Sequence, residues 1–206
     1  MIKIIDYKMG NVLSIYNMLL RIGKKPKICT KPEQLTDAKY IILPGIGNFD
    51  DSMIKLKSLG FYHLLNKLVL KKRVNFLGIC IGMQLMFNES EEGEEKGFGW
   101  IRGKVKRFDF NKKKILIKNK IPHIGWNLVK FKKKNKFFNS NLNEFYFLHS
   151  FYVTPVKKTA ILATTNYGFN FTSVVQKNNI LGVQFHPEKS LNNGLLFMKK
   201  TFDGYE

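Results

Sequence analysis

In the stretch NFLGICIGMQ, residues 75–84, a cysteine sits between two glycines where an apolar run gives way to a helical pattern. A buried structural cysteine needs no such setting, but a nucleophile does. Gly78-Ile79-Cys80-Ile81-Gly82 has the G-x-nucleophile-x-G form of a strand-to-helix elbow, with cysteine in place of serine. A side chain at either glycine would block the bend or the approach of a substrate. A thiol at a helix N-terminus has its thiolate favoured by the helix dipole. The backbone N–H of Ile81 is then a candidate donor to a developing oxyanion.

A base to serve Cys80 is found in GVQFHPEKS, residues 182–190. Along an extended backbone His186 and Glu188 project to the same side, and Pro187 biases His186 towards that conformation. A carboxylate beside an imidazole can accept its Nδ1 proton, leaving Nε2 free to act on a nucleophile. Cys80, His186 and Glu188 are therefore candidate nucleophile, base and orienter. Taken singly, each has a blander reading: an inert core cysteine or a surface ion pair. Zinc is a poor alternative, since no further Cys or His clusters with them to complete a ligand set. No metal and no organic cofactor are expected. A cysteine peptidase or another acyl-transfer hydrolase would use the same elbow.

These residues must be carried by strand ends. The first half alternates: IKII, PKICT, KYIILPG and VNFLGI read as strands, the last ending at Cys80. Between them NVLSIYNMLLRIG reads as a helix capped by Asn11 and closed by Gly23, with apolar residues at 12, 15, 16, 19 and 20. DDSMIKLKSLG and FYHLLNKLVL read as two more. This alternation predicts an α/β fold, a mainly parallel sheet flanked by helices. The second half adds strand-like GKVKRFDF, KILIKNK, FYFLHSFYV, AILATT, FTSVVQ and ILGVQF, of which some are expected to extend the sheet and others to form additional antiparallel strands. A closing helix, NGLLFMKKTF, is expected to present Leu195, Leu196, Met198, Lys199 and Phe202 on one side. In α/β sheets, sites form at the carboxyl ends of strands, where both motifs fall.

The 206 residues suffice for one domain with a full core, spanning 1–206. Met1 leads straight into IKII and Asp6, so no signal peptide is expected, and two cysteines make no disulfide framework. A cytoplasmic protein without a membrane partner is the natural reading. The formal net charge of +20 raises nucleic acid as a partner, but only Arg21, Arg73, Arg102 and Arg107 carry the planar fork suited to phosphates and bases. Lysine is scattered along the chain, and the runs NKKK from 111 and FKKKNK from 131 read as solvated loops or hairpin tips.

The motifs GICIGMQ and HPE resemble the triad-type (class I) glutamine amidotransferases, in which Cys, His and Glu hydrolyse the glutamine side-chain amide. IIDYKMGNVLSI, LPGIGNFDDSM, GMQLMFNESEEG, PHIGWN, YFLHSFY and VQFHPEKS, in that order, resemble the glutaminase subunits of imidazole glycerol phosphate synthases from near residue 2 to near 200. The resemblance implies glutamine hydrolysis at Cys80, with ammonia passed to a separate cyclase (barrel) subunit in a heterodimer. It implies that Gly45-Ile46-Gly47 is a flexible oxyanion strand and that Gln84, with the backbone around His149 and Ser150, contacts glutamine. It places Asn11, Trp126 and Lys189 on the face that meets the partner, with His123 near it. His63 and Cys29 read as structural. Two departures stand out: Lys8 where the family more often has glycine, and Phe98-Gly99-Trp100 in a more aliphatic stretch. They leave open a paralogue that feeds ammonia to a sugar.

Overall fold

The computed structural model describes residues 1–111, 119–132 and 143–203. Its strands are β1 (Ile2–Ile5), β2 (Pro26–Cys29), β3 (Tyr40–Leu43), β4 (Asn75–Ile79), β5 (Glu89–Ser90), β6 (Gly103–Arg107), β7 (His123–Phe131), β8 (Glu144–His149), β9 (Phe151–Pro155), β10 (Ile161–Tyr167), β11 (Phe169–Lys177) and β12 (Ile180–Val183). The α-helices are α1 (Val12–Arg21), α2 (Phe49–Ser58), α3 (Phe61–Asn66), α4 (Ile81–Gln84) and α5 (Leu191–Thr201). The main sheet runs β2-β1-β3-β4-β12-β11-β10-β7-β8. Its first five strands are parallel, and from β12 onward neighbours are antiparallel. β9 pairs with β11 and β6, which joins it off this path.

Strands covered on both faces read as continuous apolar runs, and β1 and β3 are buried throughout. Alternate side chains serve opposite layers. Ile5, Ile41 and Leu43 pack with Phe49, Met53 and Leu56 of α2 and Phe61 and Leu65 of α3. Ile4, Tyr40 and Ile42 pack with Val12, Ile15 and Leu19 of α1 and Phe197 and Met198 of α5. Asn11 caps α1 by accepting the Ser14 N–H at 3.4 Å, and Gly23, at φ 77°, closes that turn. Asn48 caps α2 through the Asp51 N–H at 2.8 Å. No helix among the described residues is long and apolar enough to cross a membrane.

Several readings change. FYFLHSFYV is two strands broken at Ser150: β8 pairs with β7, whereas β9 pairs with β6 and β11. PHIGWN, read only as a motif, opens the nine-residue β7. In α5 the inward residues are Gly194, Phe197, Met198 and Thr201, followed by the buried C-cap Phe202, while Lys199 is exposed and Leu195 and Leu196 are half-buried. The cause lies at Gly194, where a Cβ would stand 1.9 Å from the Pro187 carbonyl oxygen, so this residue has to face the turn. Lys8 adopts φ 68°, a left-handed backbone that explains a glycine preference there, and its side chain pairs with Asp6 at 3.1 Å. Phe98 and Trp100 stack with centroids 4.3 Å apart in the core. KILIKNK and the two lysine runs lie largely outside the described residues.

Candidate active site

The elbow is as tight as its glycines require. A Cβ on Gly78 would fall 2.4 Å from the Gly82 carbonyl oxygen, and one on Gly82 would fall 1.9 Å from that of Leu43. Cys80 itself sits at φ 54°, ψ −109°, outside the common backbone regions. Such strain persists only when the surroundings over-determine it. Here β4 runs in register with β12, Ile79 opposite Val183, and the Cys80 N–H donates to the Val183 carbonyl at 2.8 Å. Strand pairing therefore delivers the two motifs side by side. The helix after the elbow, α4, is only one turn long.

His186 is extended, but residues Pro187–Lys189 form a 3-10 turn rather than continuing the strand. The turn still brings Glu188 Oε1 to 2.8 Å from His186 Nδ1, with both side chains 2% exposed. Burial alone would lower the His186 pKa. The Cys80 sulfur and the Glu188 carboxylate override it and push His186 up to about 10. His186 therefore holds its proton at neutral pH.

A cavity of about 240 Å³ brings together Ile46, Gly47, Cys80, Ile81, Gln84, His149, Ser150 and His186. Gly45 and Glu188 stand behind this lining. A Cβ on Gly45 would lie 2.7 Å from both the Ile81 side chain and the Tyr7 hydroxyl. Ile81 opens the helical turn, so its N–H is among those without an intrahelical acceptor. The Ile46 N–H, by contrast, donates to the Met9 carbonyl at 3.1 Å. In this conformation it is not offered to the cavity. Gly47, at φ 108°, gives the strand a joint where a side chain would be strained.

Gln84 is buried and donates through Nε2 to the Phe151 carbonyl at 3.1 Å. Its Oε1 is buried without a hydrogen-bond partner. Glu92, to which the sequence motifs assign no role, also lines the cavity, its Oε2 accepting the Phe49 N–H at 2.8 Å. It sits in the acidic run ESEEGEE, where spacing does not distinguish one carboxylate from the next.

His149, in the cavity wall, and His123 behind it form a buried pair. The Phe151 carbonyl, 2.8 Å from His149 Nδ1, can only accept, which fixes the proton on that nitrogen. His149 Nε2 then accepts from His123 Nδ1 at 3.0 Å, and His123 Nε2 accepts from Asn127 at 3.2 Å. His123 thus faces inward, between the outward residues of β7. Burial pushes His123 down to about 4. Burial, aided by positive charge on His123 and His186, outweighs the Phe151 carbonyl and pushes His149 to about 3. Both folded values lie below the unfolded 6.5, so the unfolded chain binds more protons below that pH. The stability they contribute is present above pH 6.5 and is lost as pH falls towards 4. At pH 5.5, imidazole ¹⁵N spectra should show both rings as neutral Nδ1–H tautomers; a protonation midpoint near 6.5 for either would contradict the relay.

Of the residues expected at a partner face, Trp126 is 43% exposed and Lys189 is exposed, its Nζ 5.8 Å from the Tyr146 ring centre. Trp126 lies across from Tyr146 of β8. Asn11 serves first as the α1 cap and is half-buried.

The chain as a whole is similar to known proteins. Residues 3–202 match the family described as glutamine amidotransferase class-I. The chain is 51% identical over 202 residues to imidazole glycerol phosphate synthase subunit HisH 2 of Methanococcus maripaludis, with 97% of each chain covered. It is 41% identical over 201 residues to the HisH subunit of Leptospira interrogans, covering 97% of this chain and 98% of that one. A solved glutamine amidotransferase superposes with a TM-score of 0.73 at 17% identity, covering 98% and 97% of the two chains.

Proposed function

Because the chain belongs to the class-I glutamine amidotransferases, we propose that the Cys80 cavity hydrolyses glutamine to glutamate and ammonia as the glutaminase subunit of imidazole glycerol phosphate synthase, in histidine biosynthesis. The observation that carries the site assignment is one cavity lined by an elbow cysteine and a buried His186 paired to Glu188.

Cys80 Sγ attacks the side-chain amide carbon and the carbonyl oxygen takes up negative charge. The Ile81 N–H and a turned Ile46 N–H receive that charge. His186 gives its proton to the departing nitrogen as ammonia leaves, which produces a thioester. Water then attacks the thioester while His186 takes a proton, and glutamate is released. Glu188 keeps the imidazole oriented throughout. Glu92, the acidic side chain of the lining, suits the substrate's α-ammonium group.

Ammonia needs a receiver. At neutral pH free ammonia is mostly ammonium, which is not nucleophilic, so it must be passed on through a sheltered path. We infer that a cyclase subunit covers the outward row Ile124, Trp126 and Leu128, exposed at 57%, 43% and 55%. Ile124 is opposite Leu148, a cavity-lining residue, so the row runs from the edge of the site. Asn11 and Lys189 belong to the same proposed face.

A glutamine-analogue electrophile such as a diazo-ketone tests the site. It should label Cys80 stoichiometrically and spare Cys29, which is 1% exposed in the core. Labelling at Cys29 with Cys80 unmodified would overturn the assignment.

A further inference from the structure

The geometry points to Gln184 as a positioning residue that holds the Cys80 sulfur with an N–H donor, its orientation dictated through Gln84 by the Phe151 carbonyl. This rests on Cys80 being the nucleophile. Gln184 is fully buried between Val183 and Phe185, and its backbone N–H is tied to the Ser173 carbonyl at 2.9 Å. Its Nε2 lies 3.6 Å from Cys80 Sγ, and its Oε1 lies 3.2 Å from Gln84 Nε2.

An amide can be turned end for end at little steric cost, so something must decide which end faces the sulfur. The Phe151 carbonyl decides it. As an acceptor only, it draws the NH₂ end of Gln84 at 3.1 Å. That same nitrogen meets Gln184, which must therefore present oxygen to Gln84 and nitrogen to the sulfur. The reversed Gln184 would set two NH₂ groups against each other and turn an oxygen lone pair on a thiolate. In a buried site both contacts are costly. The chain of amides thus fixes the sign of the group at the nucleophile. It also leaves Gln84 Oε1 as the unpaired acceptor.

The donor acts beside the other titratable groups of the site: His186 and Tyr7, which interact with the sulfur, His149 and Glu92 in the cavity lining, and Glu188 paired to His186. Histidine supplies the proton chemistry. Gln184 supplies a fixed dipole that stays aimed at the sulfur when His186 has given its proton away.

The test is the pH profile of Cys80 alkylation by iodoacetamide in the full chain, with Gln184→Met and Gln184→Glu. Methionine removes the donor and keeps the bulk. Glutamate keeps an acceptor for Gln84 but places an oxygen at the sulfur. The profile midpoint should move up by about one pH unit in Gln184→Met, with about tenfold slower alkylation below it, and further in Gln184→Glu. The high-pH plateau should stay unchanged, which a purely structural defect would not allow. Midpoints equal to wild type in both variants, or a lowered plateau with no shift, overturn the inference. Failure of the wild-type protein itself to react at Cys80 would instead bring down the nucleophile assignment.

Discussion

Cys80→Ala should abolish glutamine hydrolysis, by roughly 10⁴-fold or more, while the protein keeps its fold. The change removes one sulfur from a site that is 5% exposed and leaves the Cβ and the φ 54° backbone as they were. The cost in stability is small, but no other group can form the thioester. His186 loses the sulfur that helps to hold its proton and keeps Glu188. Glutamate release measured beside a thermal melt separates the two effects. Retained turnover in a folded variant would show that the reaction runs elsewhere.

The isolated protein should hydrolyse glutamine slowly, and a cyclase subunit with its nucleotide substrate should accelerate it by about 100-fold or more. One missing oxyanion donor typically costs roughly 100- to 1000-fold, and here the Ile46 N–H is held by the Met9 carbonyl at 3.1 Å. The flanking glycines let that peptide turn, and Gly47 already occupies φ 108°. A partner on the face that includes Asn11 lies near the lock, since Gly10 abuts Pro44 at the start of the oxyanion strand. Binding there can favour the turned state only through a difference in affinity between the two conformations. Glutamate release by the chain alone, with the cyclase, and with the cyclase plus its ligand should rise in that order. Equal rates in all three would mean that the Met9 contact does not limit catalysis.

What the sequence makes legible is local. The elbow's glycines, His186 with Glu188, the Asn11 cap and the apolar runs of β1 and β3 each follow from a few neighbouring residues. The 3-10 turn after His186 departs from the expected extension, yet it pairs the same two side chains. Contacts that depend on pairing far along the chain are not disclosed in this way. Gln184 meets Gln84 only because β12 lies beside β4, and Glu92 reaches the cavity only by bonding the N-terminus of α2. His123 and His149 become a relay through the β7–β8 register, in which they are directly opposite. The inward face of α5 differs from the apolar pattern because Gly194 carries no hydrophobic signal, yet its close approach to Pro187 sets the helix's rotation. The roles of Gln84, the 149–150 backbone and the Gly45-Ile46-Gly47 strand come from family resemblance, not from the residue pattern.

By the proposed mechanism Cys80 only liberates ammonia, which a second subunit then uses. This claim is tested most directly by supplying nitrogen in two forms to the assembled synthase carrying Cys80→Ala. With glutamine, no imidazole glycerol phosphate should form. With high ammonium at raised pH, where free ammonia is present, product should form at a rate close to that of the unmodified complex. Product from glutamine, or none from ammonium in a complex shown to be assembled, would contradict the claim.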